Sequence, residues 1–368
     1  GCFARAAAER HSISRLWKQS SGLMARSVTQ NAGDHGEHYI TRDKKEYWAM
    51  FYSAAGGGVL IALMALFKTY LGSIIDDKVW KGIAEGLNYG LGFMVIFMLH
   101  FTVATKQPAM TAARFAEAVE KTPQGKTVNM KLAQLLVDVF RSQSIAVLGN
   151  VLIAMGLAAL IAFGYQYKTG EPLMNADQIA YQLHSIDPFA GTLWFAAIAG
   201  VWLFCSGIIS GYFDNRSNYL NMRMRLTQHP LLKKLMSEKT RVKFANYMHE
   251  NYGSLIGNLC FGMLLGITGV VGYLTHLPLD IRHVAFSSAN VGYIAVSGQF
   301  TYSLLLQCIG FVLLIGLVNL IVSFSLTLWV ALRSLNAEIE SWWPIWYEVC
   351  QIVKKRPLSL FFPVQLDK

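Results

Sequence analysis

Long apolar runs separated by basic segments constrain this sequence more than any other feature. Charged residues make up only 15% of its 368 residues, and hydrophobic residues make up 54%. A soluble domain usually carries about 25% charged residues. A run of about 20 apolar residues is long enough to cross the hydrocarbon core of a bilayer as a helix. The pattern therefore predicts an all-α, polytopic helical membrane protein with cytoplasmic helical segments.

We predict about six transmembrane helices, all within one transmembrane domain, 48–332. A cytoplasmic helical segment, 1–47, precedes this domain, and a cytoplasmic tail, 333–368, follows it. The chain begins at Gly1 without an apolar leader, so we interpret its first segment as the end of a longer upstream region. The predicted spans are 48–66, 83–104, 145–165, 192–213, 255–274 and 302–332.

The distribution of lysine and arginine predicts the orientation of these spans. With six spans, 27 of the 32 Lys and Arg residues fall in segments on one side of the membrane, and only four fall in the loops on the other side. Basic residues accumulate in cytoplasmic loops. We therefore expect a protein of the bacterial inner membrane with both termini in the cytoplasm.

The segment 276–299 is semi-polar and too interrupted to be read as a span. It holds Asp280, Arg282 and His283 within four residues, and placing such groups at the middle of a bilayer costs several kcal/mol unless they pair. The segment is either re-entrant or lies along the surface, packed against the outer side of the bundle. We expect Asp280 and Arg282 to pair with each other or with a helix end.

Two ionisable residues lie within the predicted span 83–104. Glu85 is near the outer end, where an interfacial position is the simplest interpretation, and His100 is near the inner end, where a buried structural histidine is favoured over a proton-handling role. Ionisable groups within spans are candidates for function. Lys106, just beyond this span, is a further candidate.

A basic segment, 214–253, follows the fourth predicted span and contains eight Lys and Arg residues. Asp214 and Arg216 begin it and could form an ion pair that fixes the exit of the helix. Basic residues beside a span interact with anionic lipid headgroups, so membrane lipids are the expected partners of this segment.

Two histidines before the first span, His35 and His38, are the only metal candidates that we considered, together with the neighbouring Asp34 and Glu37. Their H-x-x-H spacing lacks a third ligand at an expected distance along the chain. A solvated turn is the favoured interpretation, and we predict no metal and no cofactor.

Glycine pairs with G-x-x-x-G spacing recur in the spans. Such pairs allow two helices to approach closely, so they indicate packing inside the bundle or, alternatively, a homo-oligomer interface. The pairs are Gly86/Gly90, Gly207/Gly211, Gly253/Gly257 and Gly262/Gly266.

Four segments of the sequence resemble a known bacterial family, the Gcr-type site-specific recombinases. The resemblance covers nearly the whole chain and implies a longer protein with a polar helical region upstream. It also implies, by the family's name, cutting and rejoining of DNA. The segments are GEHYITRDKKEYWAMFYSAAGGG (36–58), LNYGLGFMVIFMLHFTVATKQPAMTAA (87–113), SGIISGYFDNRSNY (206–219) and LPLDIRHVAFSSANVGYIAVSG (277–298).

The residues themselves do not support DNA cleavage. A tyrosine recombinase needs a nucleophilic tyrosine with an H-x-x-R element and further cations, and no histidine in this sequence is followed by arginine three positions later. We therefore expect no catalytic residues and no nucleic-acid partner, and keep recombination as the alternative function.

Two non-catalytic roles stay open. One is transport or lipid handling, in which polar span residues line a path. The other is an envelope scaffold that binds a protein partner through its cytoplasmic segments. A polar cavity between the spans would favour the first role, and a dry, glycine-packed bundle would favour the second. The candidate path residues are Glu85, Asn88, His100, Asn150, Asn258, Gln307 and Asn319.

Overall fold

The structure is a computed structural model that describes residues 40–41, 43–104, 107–120, 126–297, 300–335, 339 and 341–363. This part of the chain is almost entirely helical and contains no strand, which confirms the predicted all-α class. Two 3₁₀ turns, Pro188–Ala190 and Pro357–Leu360, accompany the helices. In chain order the described α-helices are α1 (Lys44–Ile74), α2 (Lys78–Met98), α3 (Gln107–Glu120), α4 (Lys126–Thr169), α5 (Ala176–Ile186), α6 (Thr192–Tyr219), α7 (Met222–Gln228), α8 (Pro230–Leu235), α9 (Glu238–Thr275), α10 (Val284–Ala295), α11 (Tyr302–Leu335) and α12 (Trp343–Lys355).

Acidic residues cap the start of the first two helices. Asp43 precedes α1, and its carboxylate accepts the backbone N–H of Glu46 at 2.8 Å. Asp77 precedes α2 and accepts the N–H of Val79 at 3.0 Å. An aspartate at this position bonds to N–H groups that have no partner within the helix. Only residues 75–77 separate α1 from α2, so the chain turns back sharply there.

Among the residues that the structure describes, five helices are long and apolar enough to cross a membrane: α1, most of α4, α6, α9 and α11. This number is close to the prediction of about six spans. The predicted span 83–104 corresponds to α2, whose first half is made less apolar by Lys78, Lys81 and Glu85. Because α2 ends at Met98, the sequence analysis placed the end of this helix too far along the chain.

Successive long helices run in opposite directions. Near the end of α6, Asp214 accepts the N–H of Gly253, in the first half of α9, at 2.8 Å. In the first half of α6, the indole of Trp202 donates to Thr268, near the end of α9, at 2.8 Å. We call the end of the bundle with α3, α7, α8 and α12 the basic end. The opposite end, which we call the cavity end, holds the connections 75–77, 170–191 and 276–301.

Helices α2 and α9 meet backbone to backbone. A Cβ atom added at Gly262 of α9 would overlap the backbone of Gly90, and one added at Gly266 would overlap the backbone of Gly86. Glycines with this spacing allow spanning helices to approach closely. These two G-x-x-x-G motifs are therefore used inside the bundle, and the homo-oligomer stays a prediction.

The segment after α9 enters the bundle and returns to the cavity end. Its extended part leads to His283, whose ring centre lies 5.8 Å from that of Phe261 in the middle of α9. Helix α10 then runs back beside α4, where Gly292 faces the backbone of Met155. Ten of the twelve residues of α10 are buried. The sequence left two alternatives open for this segment, a re-entrant course or a course along the surface. Its path in the structure is the re-entrant one.

Helix α4 begins well before the predicted span 145–165 and continues through a polar stretch. Arg141 and Gln143 lie in this stretch and are buried. Arg141 pairs with Asp138 at 3.0 Å and donates to the carbonyl oxygen of Ser359 at 3.3 Å. The segment at 357–360 thus provides a partner for the buried Arg141, a tertiary contact that the sequence pattern alone cannot reveal.

The described part of the tail belongs to the bundle. Ile345 of α12 is buried in a cluster with Phe115 of α3 and Leu132 of α4. The ring of Phe362 lies 5.9 Å from that of Tyr47, at the start of α1. The basic end is therefore a packed layer of helices.

Candidate ligand-binding cavity

A polar cavity of about 460 Å³ lies at the cavity end, between α1, α2, α5 and the start of α10. Small-molecule sites in proteins usually have volumes of about 300–1,000 Å³, so this cavity is large enough for a small ligand. Three cations and three carboxylates line it: Lys68, Lys81, Arg282, Glu85, Asp177 and Asp280.

One wall of the cavity is formed by α1 and α2. Lys68 on α1 lies 3.5 Å from the carboxylate of Glu85 on α2. The Lys68 ammonium also lies 5.6 Å from the centre of the Tyr89 ring, one turn further along α2. An uncompensated charge at the middle of a span costs about 3 kcal/mol or more, so the pairing reduces the cost of holding both groups within the bundle.

Several contacts hold Arg282 in one orientation. Its Nη1 lies 2.6 Å from the Asp280 carboxylate and donates to the carbonyl oxygen of Ile281 at 2.7 Å. Its Nε donates to the carbonyl oxygen of Ser185 at 2.7 Å, and the guanidinium lies 5.3 Å from the centre of the Phe195 ring. The planar group therefore faces the cavity in a fixed direction. The predicted pairing of Asp280 with Arg282 is confirmed.

The short helix α5 covers another side of the cavity. Its first turn is a capping box, in which Asn175 accepts the N–H of Gln178 and Gln178 accepts the N–H of Asn175, both at 2.9 Å. This reciprocal cap fixes the start of the helix. Asp177, Gln178 and Tyr181 are thereby held in the wall of the cavity.

Aromatic side chains close the cavity towards the middle of the bundle. His283 is buried, and its ring centre lies 6.2, 5.8 and 5.8 Å from the ring centres of Phe93, Phe261 and Phe286. Phe286 also packs against Tyr89 with 4.4 Å between ring centres. The polar lining therefore ends at an apolar layer.

Two of the asparagines that were expected to line a path fasten the backbone of the bundle instead. Asn150 accepts the N–H of Ala104 at 2.8 Å. Asn319 accepts the N–H of Val284 at 3.1 Å and donates to the carbonyl oxygen of Ala196 at 2.7 Å. Both asparagines are buried. Buried backbone groups need such partners, so these side chains have a structural role.

Three further path candidates also lie away from the cavity. Asn88 donates to the carbonyl oxygen of Met64 at 2.9 Å, and Asn258 donates to that of Ser254, in its own helix, at 2.8 Å. Gln307 is exposed on the surface of α11. Of the predicted path residues, Glu85 lines the cavity, so the predicted path is not assembled as a whole.

Half of the eight residues predicted to be functional meet at the cavity, namely Glu85, Asp280, Arg282 and His283. They come from two segments almost 200 positions apart, so their meeting could not be predicted from the sequence. Their functional roles stay predictions. Lys106, like the metal candidates His35 and His38, lies outside the described residues. Within the described part, no three His, Cys, Asp or Glu side chains are grouped as metal ligands would be.

The other predicted residues lie at the basic end. Arg216 donates to the hydroxyl of Tyr212 at 3.4 Å, while Asp214 fastens α6 to α9 as described above. His100 lies in a turn beyond α2 with a left-handed backbone (φ 58°) and an exposed side chain. Its carbonyl oxygen accepts a hydrogen bond from Ser53 at 3.0 Å. The expectation of a buried histidine inside a span is therefore wrong.

Lys81 and Asp177 line the cavity but were not predicted as site residues. Lys81 was counted only as a loop charge, although it precedes Glu85 by four positions and so shares its helix face. This spacing was a usable signal. Asp177 lies in a connection between spans, and its position at the cavity depends on the folding of α5.

The comparison with protein-family models decides the family. A model described as site-specific recombinase matches residues 2–363. The chain belongs to the site-specific recombinase family. No curated protein and no solved structure matches it. The resemblance drawn from the four sequence segments is thus confirmed.

The name of the site-specific recombinase family directs attention to nucleophiles near basic residues. In this family member, the hydroxyl oxygen of Ser217 lies 3.1 Å from Nδ1 of His249 at the basic end, a pair that the sequence analysis missed. A serine beside a histidine is the arrangement of an activated nucleophile. Ser217, however, is completely buried, so its hydroxyl cannot reach a DNA phosphate in this conformation. The pair packs α6 against α9.

Proposed function

We propose that this member of the site-specific recombinase family is a membrane protein that binds a small polar ligand, as part of transport or lipid handling. The observation that carries the proposal is the grouping of three cations and three carboxylates around one cavity. Ionisable groups within a membrane protein are costly to bury, and they commonly mark the path or the binding site of a substrate.

The charges of the cavity indicate the class of ligand. Four of them form two ion pairs. Lys81 and Asp177 line the same cavity, and neither forms an ion pair within the part of the chain that the structure describes. A ligand that carries one anionic and one cationic group would pair with both Lys81 and Asp177. We therefore propose a zwitterionic ligand, either free in solution or as the headgroup of a lipid.

The aromatic layer around His283 limits how deeply a ligand can enter the cavity. A polar ligand that enters the cavity meets Phe93, Phe261 and Phe286 below it. Movement of a ligand beyond this layer requires displacement of α10, which carries Phe286. Binding at the cavity end is therefore the first step of the proposed role.

We further propose that the protein lies in the bacterial inner membrane with its termini in the cytoplasm, so that the cavity faces the outer side. The support is the division of Lys and Arg residues, 27 against four, between the two sets of connecting segments. Positively charged loops are retained on the cytoplasmic side during insertion.

Ligand titrations of the purified protein in detergent test the proposed binding. The probes are glycerophosphoethanolamine as a free zwitterion, dihexanoyl phosphatidylethanolamine as its lipid counterpart, glycerol phosphate as an anion without a cationic group, and ethanolamine as a cation without an anionic group. Either zwitterion should raise the unfolding temperature more than the single charges do. At a concentration of 100 times Kd, a ligand stabilises the folded state by about 2.7 kcal/mol.

Two variants connect this titration to the cavity. Lys81→Gln should weaken zwitterion binding about tenfold, or about 1.4 kcal/mol. The matched control is Lys78→Gln on the same helix, because the Lys78 ammonium lies 4.3 Å from the centre of the Tyr273 ring and does not line the cavity. Equal effects of both variants, or no stabilisation by any probe, would contradict the proposal.

DNA recombination is the second candidate function, and family membership is the observation that favours it. It predicts that the purified chain forms a covalent adduct with duplex DNA through a tyrosine or serine. Incubation with labelled DNA followed by denaturing electrophoresis would reveal such an adduct. A trapped adduct that disappears when one hydroxyl residue is changed would establish recombination and overturn the binding-only proposal.

An envelope scaffold is a third candidate, and the glycine contacts between α2 and α9 favour it. A scaffold would hold a protein partner through the packed helices of the basic end. Chemical cross-linking in native membranes, followed by mass spectrometry, would identify cross-links from α3 or α12 to one recurrent partner. Cross-links confined to the chain itself would argue against this role.

A further inference from the structure

One face of the re-entrant helix α10 carries uncharged polar side chains that line the cavity. Ser287 and Asn290 lie in the cavity wall, as does His283 directly before the helix. In a helix with 3.6 residues per turn, residues that follow one another at intervals of four and three positions share one face. We call Ser287 and Asn290 the neutral pair.

The other sides of α10 are used for packing. Gly292 faces the backbone of Met155 on α4. The hydroxyl of Tyr293 donates to the carbonyl oxygen of Ala62 on α1 at 2.8 Å. Helix α10 cannot rotate about its axis without breaking these contacts, so the face with the neutral pair is held towards the cavity.

The neutral pair has a hydrogen-bonding capacity that the described part of the protein does not use. A serine hydroxyl and an asparagine amide can each donate and accept hydrogen bonds. Within the residues that the structure describes, neither the Ser287 nor the Asn290 side chain forms a hydrogen bond. The neighbouring Ser288, in contrast, donates to the carbonyl oxygen of Ala285 at 2.7 Å. The neutral pair is therefore available to water or to a ligand in the cavity.

The neutral pair lies deeper in the bundle than Lys81. Phe286, which precedes Ser287, packs against Tyr89 of α2 with 4.4 Å between ring centres. Lys81 precedes Tyr89 by eight positions on α2, which places it about 12 Å closer to the cavity end. A ligand that contacts both Lys81 and the neutral pair is therefore extended, with a charged part near the mouth and an uncharged polar part below it.

We propose, on the basis of the zwitterion binding proposed above, that the neutral pair binds hydroxyl groups of the ligand. The cavity then selects a free zwitterion with a polyhydroxyl part over an acylated lipid headgroup. Hydroxyl groups donate and accept hydrogen bonds, as Ser287 and Asn290 do, whereas esterified oxygens only accept them. Acyl chains attached at this depth would also meet the packed phenylalanine layer below the pair.

Two probes with the same charges separate hydroxyl binding from charge binding. Glycerophosphoethanolamine carries two hydroxyl groups, and propyl phosphoethanolamine has the same zwitterion and a three-carbon chain without them. Isothermal titration calorimetry of the full chain in detergent measures both dissociation constants. Glycerophosphoethanolamine should bind about 30-fold more tightly, which is the effect of two hydrogen bonds of about 1 kcal/mol each.

Two variants assign this preference to the neutral pair. Ser287→Ala and Asn290→Ala should each lower the preference for glycerophosphoethanolamine about fivefold, the effect of one hydrogen bond. Both should keep their affinity for propyl phosphoethanolamine, which also shows that they fold. The matched control is Ser288→Ala, the same replacement at the next position. Ser288 is completely buried and does not line the cavity, so this variant should keep the full preference.

The outcomes distinguish the hydroxyl site from zwitterion binding itself. Equal affinities for the two probes in the unchanged protein would overturn the hydroxyl site and leave zwitterion binding in place. An equal loss of preference in Ser287→Ala and Ser288→Ala, or no loss in either variant of the neutral pair, would also overturn the site. Tighter binding of dihexanoyl phosphatidylethanolamine than of glycerophosphoethanolamine would assign the cavity to a lipid headgroup instead. If neither probe binds, the proposed function fails and the hydroxyl site fails with it.

Discussion

Replacing Asn319 with leucine should loosen the re-entrant segment from the spans that hold it. Asn319 is completely buried. Its amide nitrogen donates to the carbonyl oxygens of Ala196 and Arg282 at 2.7 and 3.0 Å, and its amide oxygen accepts the N–H of Val284 at 3.1 Å. Leucine has a similar size but no hydrogen-bonding group, so the change removes three hydrogen bonds with little change in packed volume.

The three lost bonds set the expected loss of stability. A net hydrogen bond contributes about 1 kcal/mol in soluble proteins, and interhelical bonds in membrane proteins average about 0.6 kcal/mol. The loss should therefore be about 2–3 kcal/mol, which corresponds to a change of roughly 30- to 150-fold in the unfolding equilibrium. Because Arg282 belongs to the cavity lining, zwitterion binding should weaken in the same variant.

Reversible unfolding in mixed micelles, followed by tryptophan fluorescence, measures this loss. Hydrogen–deuterium exchange locates it, and residues 280–290 should exchange faster in the variant. Gln307→Leu is the matched control, since it makes the same replacement at an exposed position of the same helix. A loss below about 0.5 kcal/mol, within the usual range for surface substitutions, would refute the structural role assigned to Asn319. Unchanged exchange at 280–290 would refute it as well.

Three further predictions concern packing, topology and the re-entrant helix. Gly262→Val should destabilise the bundle by several kcal/mol in the same unfolding assay, because its side chain would overlap the backbone of Gly90; stability close to that of the wild type would refute the close contact. A reporter that is active only in the cytoplasm should be active when fused after Lys239 and inactive when fused at Gly170, and the reverse result would invert the proposed orientation. Ser288→Cys, in a cysteine-free background, should resist a membrane-impermeant maleimide because Ser288 is completely buried; rapid labelling from the cytoplasm would mean that the segment crosses the membrane.

Hydrophobicity was enough to find most of the spans. The predicted span 192–213 begins at the first residue of α6, and 302–332 lies within α11. Neither segment contains a charged residue, so the apolar run is easily recognised as a span. Hydropathy describes the segment 83–104 less well. Helix α2 is held in part by the close glycine contact with α9 and not only by apolar surface that faces lipid.

The cavity could be predicted only in part. Asp280 and Arg282 are two residues apart, so their pairing followed from local chemistry. Glu85 and Lys68 lie on different helices, and their pair depends on the sharp turn at 75–77. Asp177 joins them only because α5 folds over the cavity. Contacts of this kind are set by tertiary packing, on which the hydropathy of a single segment carries no information.

The unbroken length of α4 has a mechanical consequence. Its 44 residues form a rod about 66 Å long, roughly twice the thickness of a hydrocarbon core. About a third of the way along this rod, Arg141 is bonded to the tail at Ser359, and further along it the backbone of Met155 faces Gly292 of the re-entrant helix. A rigid rod that tilts by about 5° around one end moves its other end by about 6 Å. Helix α4 therefore connects the packed helices of the basic end to the re-entrant helix α10 as one rigid element.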